Sequence, residues 1–261
     1  MNTLVFDIET VPDVDLGRRI YDARELDDES VAKIMFFKQK QSRGNDFLPL
    51  PMHRVIVISA VLRTAEDLHV FSLGGDGADE KEILARFFDG LDRYVPELVS
   101  WNGCSFDLPV LHYRSLKHGV DASRYWELGD TDREFRFNNY LSRFHWRHLD
   151  LMDVLSGYQS SGRASLDLVA QLLGLPGKLG MSGGKVWECY RRGELAEIRN
   201  YCETDALNTY LVYLKFQLMR GLLDHERHAA ELERVETKLE QSGEAHLEAF
   251  LDAWRAVRDG G

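Results

Sequence analysis

The run Leu4-Val5-Phe6-Asp7-Ile8-Glu9 constrains the chain more than any other stretch. Its β-branched and aromatic residues read as a strand, which Thr10-Val11-Pro12 ends because proline cannot donate to a sheet ladder. Side chains alternate along a strand, so Leu4, Phe6 and Ile8 share one face while Val5, Asp7 and Glu9 share the other. Two carboxylates about 4 Å apart repel by about 4 kcal/mol at an effective dielectric near 20. A cation between them removes that cost; the plain alternative is an acidic pair that caps whatever follows.

Downstream, Val55–Leu62 and Leu68–Leu73 are apolar runs separated by a hairpin-length connection. Asp79 opens a helical pattern (Ile83, Leu84, Phe87, Phe88, Leu91) that stops before Pro96, and Leu98–Trp101 follows as a fourth strand. Strand, hairpin, helix, strand is a mixed α/β order. The remainder reads as helices over 108–118, 165–173, 185–192 and 195–223, with a fifth short strand around 147–151.

Two segments stand outside this pattern. Residues 13–52 are polar, helical mainly over 29–38, and end in Pro49-Leu50-Pro51, as an insertion lying over one face would. We expect a domain over 1–221 followed by a helical tail over 222–261, bent at Ser242-Gly243 into a hairpin. The tail's apolar positions, among them Val235, Leu239, Leu247, Phe250 and Trp254, could either dock on the preceding domain or supply the seam of a homodimer.

Charge and cysteine usage narrow the function. Lys and Arg total 32 against 43 Asp and Glu, a net charge of -11, which excludes a coating nucleic-acid binder. A local basic groove can still act within a Debye length of about 8 Å. Cys104, Cys189 and Cys202 are an odd set without CxxC spacing, arguing against a disulfide framework or structural zinc and for a reducing cytoplasm. No stretch approaches the roughly 18 uncharged apolar residues of a membrane span, so no membrane association is expected.

Two further clusters carry chemistry. Trp101-Asn102-Gly103-Cys104-Ser105-Phe106-Asp107 follows the fourth strand, with Asn-Gly marking a turn and Asp107 at a helix start, where it could serve as a cap, a site residue or both. Tyr201-Cys202-Glu203-Thr204-Asp205 lies inside a long helix, and i,i+4 spacing puts the phenol and the carboxylate on one face. The apolar stripe after Asp205 would bury its surroundings, and a buried carboxylate needs a partner.

In this order the three motifs resemble the DEDD superfamily of 3′-5′ exonucleases, tyrosine subclass. The resemblance is greatest to the predicted bacterial exonucleases related to the proofreading domain of family B DNA polymerases. It spans Asn2 to Gly221 through DIETVP, NGCSFDLPVL and YCETDALNTY. It implies a ribonuclease H-like fold, a mixed five-stranded sheet flanked by helices, that hydrolyses single-stranded nucleic acid from the 3′ end and releases nucleoside 5′-monophosphates. It further implies two divalent cations on Asp7, Glu9, Asp107 and Asp205, with Tyr201 orienting the attacking water. The histidine subclass would have its histidine where Asn200 stands. Oxygen ligands suit Mg²⁺ or Mn²⁺, and two such ions about 3.5 to 4 Å apart can clamp the attacking and leaving oxygens of a phosphodiester. Within the family pattern Asn102 and Phe106 lie near the terminal nucleotide.

Other substrate contacts are read from composition. Arg133, Arg136, Arg143 and Arg147 interleave with Phe135, Phe137, Tyr140, Phe144 and Trp146, and no acidic residue occurs between Phe135 and Leu149. Either this segment holds a single strand by phosphate pairing and base stacking, or its aromatics are core. Lys178 and Lys185 flank a glycine-rich loop that could approach phosphates or simply be flexible; it lacks the Walker spacing.

Overall fold

The computed structural model describes residues 2–75 and 77–259. In chain order the elements are β1 (Thr3–Pro12), α1 (Val14–Ile20), α2 (Asp28–Arg43), β2 (His53–Arg63), β3 (Leu68–Leu73), α3 (Glu80–Tyr94), β4 (Glu97–Ser100) and α4 (Asp107–His118). There follow β5 (His148–Asp150), α5 (Leu151–Leu155), α6 (Leu166–Leu172), α7 (Val186–Arg191), α8 (Leu195–Met219), α9 (His225–Glu240) and α10 (Ala245–Asp259). The strands form one mixed sheet in the order β3-β2-β1-β4-β5. β1, β2 and β3 pair antiparallel, whereas β4 and β5 run parallel to β1. This is the α/β architecture expected from the motifs.

The alternation in β1 decides the layers. Leu4, Phe6 and Ile8 face α3 and α4 in a core with Leu84, Phe87, Leu98 and Leu111. Val5 faces the other way, into a core with Val61, Val99, Leu149, Leu207 and Leu211 under α8. β1 sits in mid-sheet with both faces covered, so its Asp7 and Glu9 lie in the interior of the fold. A register shift between Glu9 and Thr10, where Glu9 pairs with Val57 and Thr10 with Val55, leaves Ile56 as an extra residue on β2. Such a bulge increases twist and redirects the strand immediately after the carboxylate pair.

Residues 13–52 form α1, α2 and a short 3₁₀ turn around a small core of Ala23, Val31, Met35 and Leu48. The helix expected over 29–38 is longer, Asp28–Arg43, because Asp27 caps its start by accepting from the Ser30 N–H at 2.8 Å and Gly44 ends it in a left-handed conformation.

The tail forms the expected hairpin and docks. Val235, Leu239, Leu247, Phe250, Leu251 and Trp254 are buried in the same core as α8. Of the two expectations for the tail, docking on the preceding domain is the one seen, and these apolar positions, covered within the chain, do not support the homodimer seam.

Candidate active site

Three elements converge at the end of β1. Asp7 and Glu9 come from that strand, Asp107 from the first residue of α4, and Asp205 from the middle of α8. Glu9, Asp107 and Asp205 are buried and Asp7 is partly so. Ligand atoms of Asp7, Glu9 and Cys202 lie within 4.8 Å of one another. Burial, then the charges of Asp107, Glu9 and Asp205, hold the Asp7 carboxyl well above its ordinary range. Burial, then Asp205 and Asp107, do the same to Glu9. Burial, with added charge from Asp150, pushes Asp107 up to about 7, and burial raises Asp205 as well. Asp205 Oδ1 is buried with no hydrogen-bond partner. An orphaned carboxylate oxygen among mutually repelling carboxylates fits a hard cation with oxygen ligands and leaves little for a thiolate-seeking metal.

Asp107 is not the helix cap. Phe106 occupies the cap position and no side chain caps α4, so the Asp107 carboxylate is free of that duty. The loop that delivers it is held from below by Asp150, which accepts from the Asn102 N–H at 3.0 Å and the Cys104 N–H at 2.9 Å. Asn102 stands in the left-handed region at φ 67, which asparagine tolerates. A Cβ on Gly103 would overlap Ser100 Oγ, so only glycine fits this turn. The Asn102 side-chain oxygen is buried without a partner.

Arg114 fastens α4 two turns further on. It is 2% exposed and bonds Glu80 through Nε at 2.7 Å and Asp13 through Nη1 at 2.5 Å. Glu80 also accepts from the Val55 N–H at 2.8 Å, opposite the bulge. Hydrogen bonds from Arg114 and Lys117 outweigh burial and hold Asp13 at about 2.

Tyr201 lies one turn before Asp205 on α8, and its phenol accepts from Lys178 Nζ at 3.0 Å. Burial, then the charges of Asp205, Glu9 and Asp7, raise the phenol far above its ordinary value, so it keeps its proton at neutral pH. The Lys178 charge in turn stabilises Glu9 and Asp205 as carboxylates. Lys185 lines a cavity of about 470 Å³ together with Tyr201, Asn200 and His246.

A cleft of about 690 Å³ opens beside Glu9, walled by Phe106, Phe47, His53 and Trp187. The Phe106 ring is 5.6 Å from that of Phe47 and 5.1 Å from that of His53. Phe106 thus lines the same cleft as Glu9. Phe47, His53 and Trp187 escaped the sequence reading, since nothing local marks an aromatic as facing a cleft; Phe47, two residues before Pro49, is the one signal it offered. Arg136 and Arg143 line neither this cleft nor the cavity at Tyr201. The segment around them divides. Phe135 and Tyr140 are core and Arg147 stacks on Phe135 at 4.1 Å, whereas Phe137 and Phe144 are 80% and 78% exposed.

An α/β sheet thus brings carboxylates from a central strand and two flanking helices together into an acidic site whose groups could hold a metal ion. Residues 45–254 match the family described as predicted 3′-5′ exonuclease related to the exonuclease domain of PolB, and the chain belongs to that family. The matched region holds Asp107, Tyr201 and Asp205, begins after Asp7 and Glu9, and runs through α9 into α10. The chain is 26% identical over 168 residues to a DNA polymerase of Archaeoglobus fulgidus, covering 63% of this chain and 20% of the polymerase. It is 28% identical over 148 residues to the catalytic polypeptide of DNA polymerase epsilon from Saccharomyces cerevisiae, covering 53% of this chain and 6% of that polypeptide. The chain therefore spans a fifth or less of the length of these relatives. Among the described residues no helix is long and apolar enough to cross a membrane.

Proposed function

We propose that the chain is a metal-dependent 3′-5′ exonuclease of the tyrosine subclass that removes nucleoside 5′-monophosphates from single-stranded nucleic acid. The observation that carries this reading is the set of four converging carboxylates with Asp205 Oδ1 left unpartnered. Asp7, Glu9, Asp107 and Asp205 would hold two divalent cations, Mg²⁺ or Mn²⁺, which would supply Lewis-acid stabilisation to the attacking water and the leaving oxygen.

The chain's own groups do the positioning. Tyr201 keeps its proton and has its oxygen occupied by Lys178, so it serves as a hydrogen-bond donor that orients water or phosphate, not as a base. Lys178 adds a positive charge where a phosphate must approach an acidic site. Phe106, Phe47 and His53 line the cleft beside Glu9 and supply aromatic faces for the terminal nucleotide. Asn102, four residues before Phe106 on the same loop, offers a buried unpartnered oxygen, while Lys185, Arg143 and Arg136 serve more distant phosphates. The cysteines are free, in keeping with the cytoplasm to which we assign the enzyme.

The test is a time course with 5′-labelled single-stranded DNA and RNA of one sequence in Mg²⁺, Mn²⁺ or EDTA, alongside Asp7→Ala, Asp205→Ala and a circular strand. The expected result is a metal-dependent ladder that shortens from the 3′ end, absent in both variants, with the circle intact. Hydrolysis that persists in the variants overturns the site, and cleavage of the circle overturns the exonuclease.

A further inference from the structure

A second cavity, of about 170 Å³, lies at the start of α4 and shares no wall residue with the cleft at Glu9. Its walls include Pro109, His112, Arg143, Asp150 and Tyr158. Leu108 and Pro109 directly follow Asp107, and the Asp150 charge acts on Asp107, so this space begins within a turn of the carboxylate cluster. Pockets for drug-sized ligands run to about 300–1,000 Å³; this one has room for a single planar ring system.

Its lining is built for such a ring. Tyr158 adopts φ 61, a left-handed conformation uncommon for an aromatic residue. It is pinned there by its N–H donating to Asp153 O at 2.7 Å and its hydroxyl donating to Arg143 O at 3.2 Å. The Arg143 guanidinium stacks 4.6 Å from the Tyr158 ring centroid, and among the described residues it forms no ion pair. His112 Nε2 is buried in the wall without a hydrogen-bond partner, and burial lowers this imidazole to about 4, so it is neutral. The carboxylates nearby are already engaged, Asp150 by two backbone N–H groups and Asp153 by Arg163 at 2.6 Å. The exposed rings of Phe137 and Phe144 continue the surface beside Arg136 and Arg143.

Resting on the exonuclease reading, we propose that this cavity is a second nucleotide subsite. It takes a base of the single strand upstream of the terminal dinucleotide, against Tyr158 and within reach of His112 Nε2, with Arg143 on the adjoining phosphate. A neutral base suits the enclosed space, where a phosphate would meet two carboxylates, and the unpaired guanidinium at the rim suits the phosphate.

The experiment compares a dinucleotide with a single-stranded decamer for the unaltered protein, Tyr158→Ala, Tyr158→Phe and Arg143→Ala. Binding of the 5′-labelled decamer in EDTA is measured in parallel by fluorescence anisotropy. Tyr158→Ala and Arg143→Ala should each raise KM and Kd for the decamer about tenfold, the scale of one stacked base. Dinucleotide hydrolysis by Tyr158→Ala should be unchanged, and Tyr158→Phe, which keeps the ring and the backbone bond to Asp153, should retain most of the decamer affinity. Equal decamer affinity in all four proteins overturns the subsite, as does a parallel loss on both substrates. Absence of hydrolysis by the unaltered protein overturns the exonuclease reading instead, and the anisotropy still decides whether the cavity holds a strand.

Discussion

Asp7→Asn separates what the carboxylate cluster does for cation binding from what it does to the fold. The ligand atoms of Asp7 and Glu9 lie within 4.8 Å, and at an effective dielectric near 20 two full charges there repel by about 3.5 kcal/mol. Burial and the neighbouring charges raise both carboxyls, so a retained proton relieves part of that repulsion. The amide should therefore return about 1 to 3 kcal/mol to the metal-free fold at neutral pH. For a chain of this size that is about 2 to 6 °C in Tm. The sign with pH follows from the direction of the shifts. A carboxyl raised in the folded state contributes stability that is fully present below its ordinary value of 3.8 and is lost as pH rises through its folded value, about 7 for Asp107. In EDTA the unaltered protein should lose Tm between about pH 5 and 8 more steeply than Asp7→Asn, and Mn²⁺ should remove the difference by raising only the unaltered protein. Scanning fluorimetry across that range in EDTA and in Mn²⁺ reads all of this. If Asp7→Asn melts lower than the unaltered protein in EDTA, the like-charge account of the cluster is wrong.

Three other outcomes follow from the geometry. Tyr201→Phe should lower kcat about 100-fold at saturating Mn²⁺ while leaving the metal concentration for half-maximal rate unchanged, because the phenol orients and does not ligate; a shift in metal dependence would place Tyr201 among the ligands. Arg114→Met removes the buried cation shared by Asp13 and Glu80, leaving Lys117 and His118 as their side-chain partners, and should cost about 3 kcal/mol in a urea titration, the low end for a broken buried pair, whereas a loss under 1 kcal/mol, within the range of about 0 to 1 for surface pairs, would show that solvent reaches the cluster. Phe47→Ala should raise KM for single strands about tenfold with kcat retained, by removing one face of the cleft beside Glu9; an unchanged KM would remove the insertion from the substrate path.

What could be read from the chain was local in origin. β1 declared both its layers through alternation alone, and β3 occupies the residues its apolar run marks out. Asp205 was conspicuous because a carboxylate inside an apolar helical stripe has no inexpensive resting place. Asp150 was invisible for the opposite reason. It lies 48 residues from Asn102 in sequence, and only the parallel pairing of β4 with β5 brings its carboxylate under that loop. Asp107 could be read as a cap, a site residue or both because sequence gives a helix start only to within a residue or two, and the difference between cap and first helical residue decides whether the carboxylate is free of the capping duty. The tail's apolar positions were equally legible as a dimer seam, since a hydrophobic stripe records that something covers it and not what does.

Both segments outside the sheet are tied down close to the carboxylates, and the energetics give a reason. In the absence of a cation, mutual repulsion drives α4 and α8, which carry Asp107 and Asp205, away from β1. The insertion begins with Asp13, four residues past Glu9, which grips Arg114 on α4. The tail brings His246, which bonds Glu203 at 2.7 Å two residues before Asp205, while Ser72 of β3 bonds the same carboxylate at 2.5 Å. Burial alone would raise Glu203, yet these hydrogen bonds hold it below its ordinary value, so Glu203 is a carboxylate at neutral pH. Each anchor is a buried or half-buried carboxylate whose loss of partners would leave an uncompensated charge, a cost of the same order as the repulsion between two site carboxylates. The anchors hold together a site that the metal-free protein would otherwise relax by separating its helices. A cation can then enter a preformed array with little reorganisation.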